Sequence, residues 1–173
     1  MSNELERLAR RGRLPYTYEV RQVASPVAGA DFTITPRPGE VWRLVAVKAS
    51  LHASAVAGNR FPQLVIDNAT DISEKYVAGV ATIANGTTLY SWIAGFPVVL
   101  AAAESGLVTV PITERIIQTG WTIHPVTAAL DAGDQWSAIT VTMERYNSPP
   151  RTISERLGVS SDEVGAAVMA AGQ

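Results

Sequence analysis

The sequence contains no cysteine. A disulfide framework, a thiolate zinc site and a cysteine nucleophile are therefore excluded together. Histidine is almost as scarce, with His52 and His124 alone, and neither has a second histidine at the i, i+2 or i, i+4 spacing that a metal site would use. Charge is low as well: 17% of the 173 residues are charged and the net charge is −2, so no broad basic surface for nucleic acid is expected. Long apolar runs are missing too. The longest, Phe96 to Ala103, is broken by Pro97 and falls well short of the ~18 residues a membrane-spanning helix needs. The start, Met1-Ser2-Asn3-Glu4-Leu5, is polar and lacks the apolar stretch of a secretory signal. These absences lead to the expectation of a chain made soluble in the cytoplasm.

Catalytic signatures are equally sparse. There is no G-x-S-x-G nucleophile elbow, no P-loop and no G-x-G-x-x-G. Asp131-Ala132-Gly133-Asp134 lacks the full pattern of a calcium loop and reads as a hairpin turn. His52 and His124 could meet, near Asp67, Asp71 or Asp134, only if their strands pair. The expectation is a protein that is not an enzyme and has no cofactor.

What is present is apolar and β-forming. The hydrophobic fraction is 47%, high beside so few charges, which fits a surface partly covered by neighbouring subunits. Alternating, β-branched segments separated by turn residues predict strands at 16–23, 32–35, 41–54, 62–67, 75–83, 87–93, 107–112, 121–129 and 136–146. In the long 41–54 segment, Val41, Val45, Val47, Ala49 and Leu51 fall on one face, and Trp42, Leu44, Ala46, Lys48 and His52 on the other. Arg43 falls on the apolar side, which places it near a sheet end. About eight strands spaced this way predict an all-β, antiparallel, jelly-roll-like sandwich.

The flanks read differently. Residues 2–12 have a capping Ser2 or Asn3, acids in the first turn and Gly12 as a stop, with Leu5 and Leu8 as a thin apolar stripe. Beyond Asn147-Ser148-Pro149-Pro150, a second helical stretch carries the small apolar face Val164, Ala167, Val168 and Ala171. The organisation is thus an N-terminal helical arm at 1–13, a sandwich at 14–147 and a C-terminal helical tail at 148–173. Neither arm is long enough to stand alone, so both are expected to dock on a partner. Leu5, Leu8, Arg7, Arg10, Arg11, Val164 and Val168 are the expected protein-contact residues, the arginines suiting an acidic protein surface. The likeness of 155–171 to a helix-turn-helix is discounted, because its second half has no basic side chain. Trp42 and Trp136, each opening a strand, are candidates for stacking a sugar ring.

Three segments look familiar: Pro38-Gly39-Glu40-Val41-Trp42-Arg43-Leu44, Gly58-Asn59-Arg60-Phe61-Pro62-Gln63-Leu64-Val65-Ile66, and Gly133-Asp134-Gln135-Trp136-Ser137. With the turns and strands of 36–146, they resemble a group of small β-sandwich proteins encoded among the structural genes of tailed bacteriophages. The resemblance implies a virion component: a capsid decoration protein, a head-fibre base, a neck or collar protein or a minor tail protein. Such a component would dock on major capsid, portal, neck or tail proteins, and the resemblance brings no catalytic residue. The short arms add the expectation of symmetric self-association, as a trimer or ring. A glycan-binding sandwich is the alternative expectation.

Overall fold

The computed structural model describes residues 16–68, 70, 73–96, 100–102 and 106–146. The two expected arms, and with them Leu5, Leu8, Arg7, Arg10, Arg11, Val164 and Val168, lie outside the described residues.

The described chain is all β. Its strands are β1 (Tyr16–Gln22), β2 (Val41–His52), β3 (Phe61–Asp67), β4 (Ser73–Val77), β5 (Thr87–Ala94), β6 (Leu100–Ala102), β7 (Leu107–Ile112), β8 (Ile116–Gln118), β9 (Thr122–Ala128) and β10 (Gln135–Tyr146). They form two sheets. The larger runs β1-β10-β2-β5-β7-β6, with β8 also paired to β2, and the smaller runs β4-β3-β9. One core joins the sheets into a sandwich-like body: Leu64, Ile66 and Ile123 of the smaller sheet cluster with Trp42, Leu44, Val47, Leu51, Trp92 and Val141 of the larger.

Pairing is antiparallel except between β5 and β7, which run parallel. That pair departs from the all-antiparallel expectation. The short β6 and β8 were not anticipated, since three residues are too few to display an alternating pattern. The segment 32–35 makes a single bridge, Ile34 to Ile123, rather than a strand. Pro36 and Pro38 follow it and supply no N–H to extend a ladder. Phe32 and Ile34 still alternate inward and are buried. The segment expected at 75–83 stops at Val77, where Gly79 turns the chain at φ +70°.

Two irregularities set the core face. The β10–β2 register shifts between Ser137 and Thr140, where Ala138 and Ile139 oppose one β2 residue, and again between Thr142 and Met143, where Val45 is the extra residue. Each is a β-bulge, and each switches the side-chain phase by one. On β2 the core face is therefore Trp42 and Leu44 before the bulge, and Val47, Ala49 and Leu51 after it. The uninterrupted alternation expected for this strand is corrected accordingly. Arg43 is not a misplaced core residue; it lies on the outer face, opposite Glu144.

Candidate functional site

Two of the familiar segments meet in space. Arg60 closes the Gly58-Asn59-Arg60 turn before β3, Asp134 closes the Asp131–Asp134 turn before β10, and the two side chains form a buried bidentate pair. Arg60 Nε donates to Asp134 Oδ2 at 2.8 Å and Nη2 to Oδ1 at 3.0 Å. The rest of the guanidinium is satisfied too: Nη1 donates to the carbonyls of Val56 and Gly58, and Nη2 to Ser54 Oγ. With all five donors used, Arg60 can sit at 1% exposure. Asp134 in turn accepts the backbone N–H groups of Ser54 and Asp131, both at 2.7 Å. Burial alone would raise the Asp134 pKa. The hydrogen bonds from Arg60 and from these two N–H groups outweigh it and hold the carboxyl down at about 2. Asp131–Asp134 is thus a turn between β9 and β10, strands of different sheets, and not a hairpin turn. Its key carboxylate is committed to an arginine.

The third segment builds a second polar cluster. Glu40 Oε2 accepts the Trp42 indole N–H at 3.2 Å and the Arg37 N–H at 3.0 Å, and its Oε1 accepts Arg21 Nη2 at 3.0 Å. Arg21 also bonds Glu19 and lies over the Trp42 ring, 5.0 Å from its centroid. Arg145 approaches both acids, at 3.6 Å from Glu19 and 3.5 Å from Glu40. Burial opposes ionisation of Glu40, and the Arg21, Arg37 and Trp42 bonds bring it down to about 2.

Trp42 and Trp136 are fully buried, at 0% exposure each, which corrects the expectation that their rings stack on a sugar. Trp136 packs edge-on to Phe32, with ring centroids 5.2 Å apart, and its indole N–H is held by Asp31 at 2.9 Å. Both tryptophans are core anchors whose polar edges are held by carboxylates.

The histidines stand apart, His52 on β2 of the larger sheet and His124 on β9 of the smaller, and their strands do not pair. Among the described residues no group of three or more His, Asp or Glu could hold a metal ion. His52 does sit between two hydroxyls on the exposed outer face: Nε2 is 3.1 Å from Ser137 Oγ and Nδ1 is 2.8 Å from Thr87 Oγ1. The outline is that of a nucleophile and base, but the orienting group is a neutral threonine in place of a carboxylate. The arrangement is a cross-strand tie: His52 on β2 lies directly opposite Thr87 on β5 and diagonal to Ser137 on β10, whose own register partner is Ser50.

A cleft of about 210 Å³ is lined by Arg43, Glu114, Arg115 and Ile116. It is smaller than ordinary ligand pockets, and its charges are committed to each other: Arg43 to Glu144 and Glu114, and Arg115 to Glu74.

The remaining feature is the rim of the larger sheet. Among the described residues β1 is an edge strand, paired to β10 on one side only. Tyr16, Tyr18 and Val20 project from its outer face at 50%, 60% and 60% exposure. Tyr16 pairs with Tyr146, their rings edge-to-face at 6.3 Å, so segments 1–15 and 147–173 attach at neighbouring points on this rim. Sequence reasoning treated β1 only as a strand. Its edge position follows from topology, which no local pattern shows.

No family model matches the chain, and no curated protein or solved structure matches it either.

Proposed function

We propose that this chain is a structural subunit of a tailed-bacteriophage virion, one that self-associates, docks on capsid, neck or tail, and works by binding rather than catalysis. The observation that carries the reading is the rim at Tyr16 and Tyr146. There an exposed apolar row adjoins the attachment points of both flanking segments. A subunit that lends two helical arms to neighbours from one corner offsets the entropy of ordering them with buried interface. Low charge and the resemblance of the Glu40–Trp42, Arg60 and Asp134 segments point the same way. We read the sandwich as a jelly-roll relative with uneven sheets. The glycan-binding alternative loses its stacking platform with the burial of Trp42 and Trp136.

Mass spectrometry of purified intact virions tests the reading. The chain is expected among the particle proteins, at high copy number if it decorates the capsid and at about a dozen copies or fewer if it forms a single ring at neck or tail. Its absence from the particle, together with failure of the purified protein to bind virions, would overturn the proposal.

A further inference from the structure

The exposed rim of β1 has the chemistry of a strand awaiting a strand. Val23 N–H donates to the Ile139 carbonyl at 2.9 Å. Alternation along an antiparallel ladder then turns the N–H and C=O groups of Arg21, Glu19 and Thr17 toward β10, and those of Tyr18, Val20 and Gln22 outward. An open row of this kind is a template for another chain, and folded proteins usually blunt it. The other strand edges among the described residues are blunted or short, β8 with its three residues included. β9 carries Pro125 and is bridged at Ile123 by Ile34, β4 is five residues long and carries Lys75, and β6 has three residues. β1 has seven residues, no proline, no lysine and no bulge against β10. Its two charged residues, Glu19 and Arg21, lie on the face toward the core.

Those two charges choose the partner. We propose that β1 pairs antiparallel with β1 of a second copy, about a two-fold axis through Val20, joining the two larger sheets into one. An antiparallel ladder requires outward groups to meet outward groups, so the axis must pass through a residue and not between two. Centred on Glu19 or Arg21, the ladder would set like charges directly opposite, which is destabilising. Centred on Tyr18, it would leave Glu19 facing Thr17. Centred on Val20, it sets Glu19 opposite Arg21 of the second copy, and Arg21 opposite its Glu19. The pairs Val20–Val20 and Tyr18–Gln22 then exchange both backbone hydrogen bonds, and the exposed side chains of Tyr18 and Val20 cover one another across the axis. The isologous contact closes on itself and leaves no open edge on β1.

This inference deepens the proposed self-association by naming its surface, and it is tested apart from the virion. The full chain is expected to run as a dimer, or a multiple of one, in light scattering coupled to gel filtration. Val20→Pro removes the central outward N–H while leaving the ladder to β10 intact, as proline on the solvent side of an edge strand does. It should give half the particle mass with an unchanged far-UV circular dichroism spectrum, so that loss of the dimer is told apart from unfolding. Because the chain has no cysteine, single substitutions report the register. Val20→Cys places two thiols across a hydrogen-bonded pair about 5.5 Å apart at Cα, within disulfide reach, and should cross-link on mild oxidation. Tyr18→Cys should not, since its copies are four residues apart along the ladder. A monomeric wild type, a Val20→Pro variant of undiminished mass, or cross-linking through Tyr18→Cys in preference to Val20→Cys would each overturn the proposal. A confirmed dimer that is absent from virions would leave this pairing standing and remove the virion reading alone.

Discussion

Arg60 and Asp134 show how a buried ion pair is made tolerable. Desolvating two charges is expensive, and their attraction offsets it only when the remaining donors and lone pairs are also bonded. Here they are, through Ser54, Val56, Gly58 and Asp131. Removing one partner leaves the other charged and dry, so Asp134→Ala should cost about 3–5 kcal/mol, measured by urea unfolding. Replacing both with apolar residues, Arg60→Met with Asp134→Leu, should recover little of that loss, because the Ser54 and Asp131 N–H groups and the Val56 and Gly58 carbonyls then lose their partners. The acids also set a pH window. Asp134 and Glu40 ionise more readily in the folded state than in the unfolded chain, with pKa values of about 2 against ordinary values of 3.8 and 4.5. Their stabilisation is therefore full above about pH 5 and disappears as pH falls toward 2. The urea midpoint should be flat from pH 7 to 5 and decline below it, with a shallower decline in Asp134→Asn. At this scale the sequence was half legible. The segments holding Glu40, Arg60 and Asp134 stood out as motifs, but the sequence separation of 74 between Arg60 and Asp134 hid their contact. Trp42 and Trp136 were misassigned because strand position alone does not say which side of a sheet faces the core.

Strands as elements were far more legible, and the reason lies in period. β2, β3, β5, β7, β9 and β10 each run long enough for two or three repeats of alternation, and all were placed within about two residues. What escaped were the phase changes inside them. The bulge at Ala138 puts Trp136 and Ile139, three apart in sequence, on one face. Ala138 holds φ +49° there, a conformation that disfavours any side chain. Ala138→Gly should stabilise the fold by up to about 1 kcal/mol, the relieved strain being partly offset by the freer unfolded chain. Ala138→Val, β-branched at the same backbone angle, should cost about 1–2 kcal/mol. Thermal unfolding of the pair decides the point: equal melting temperatures would mean that the bulge relaxes without regard to its side chain.

For the whole molecule, the governing fact is strand order. β10 lies between β1 and β2, so a strand from the end of the described chain fills the gap between the first two. Nothing local in the sequence announces such an insertion, because it depends on contacts more than a hundred residues apart, such as Tyr16 with Tyr146 and Arg43 with Glu144. The same order has a consequence on the ribosome. Synthesis delivers β1 and β2 early, but neither can complete its ladder until β10 has emerged. Through most of its translation the chain therefore holds unpaired strands in waiting, and the larger sheet closes in one late step. Folding of this kind is slow and leaves adhesive edges exposed while it lasts, so nascent chains crowded on one message would be prone to join each other before they join themselves.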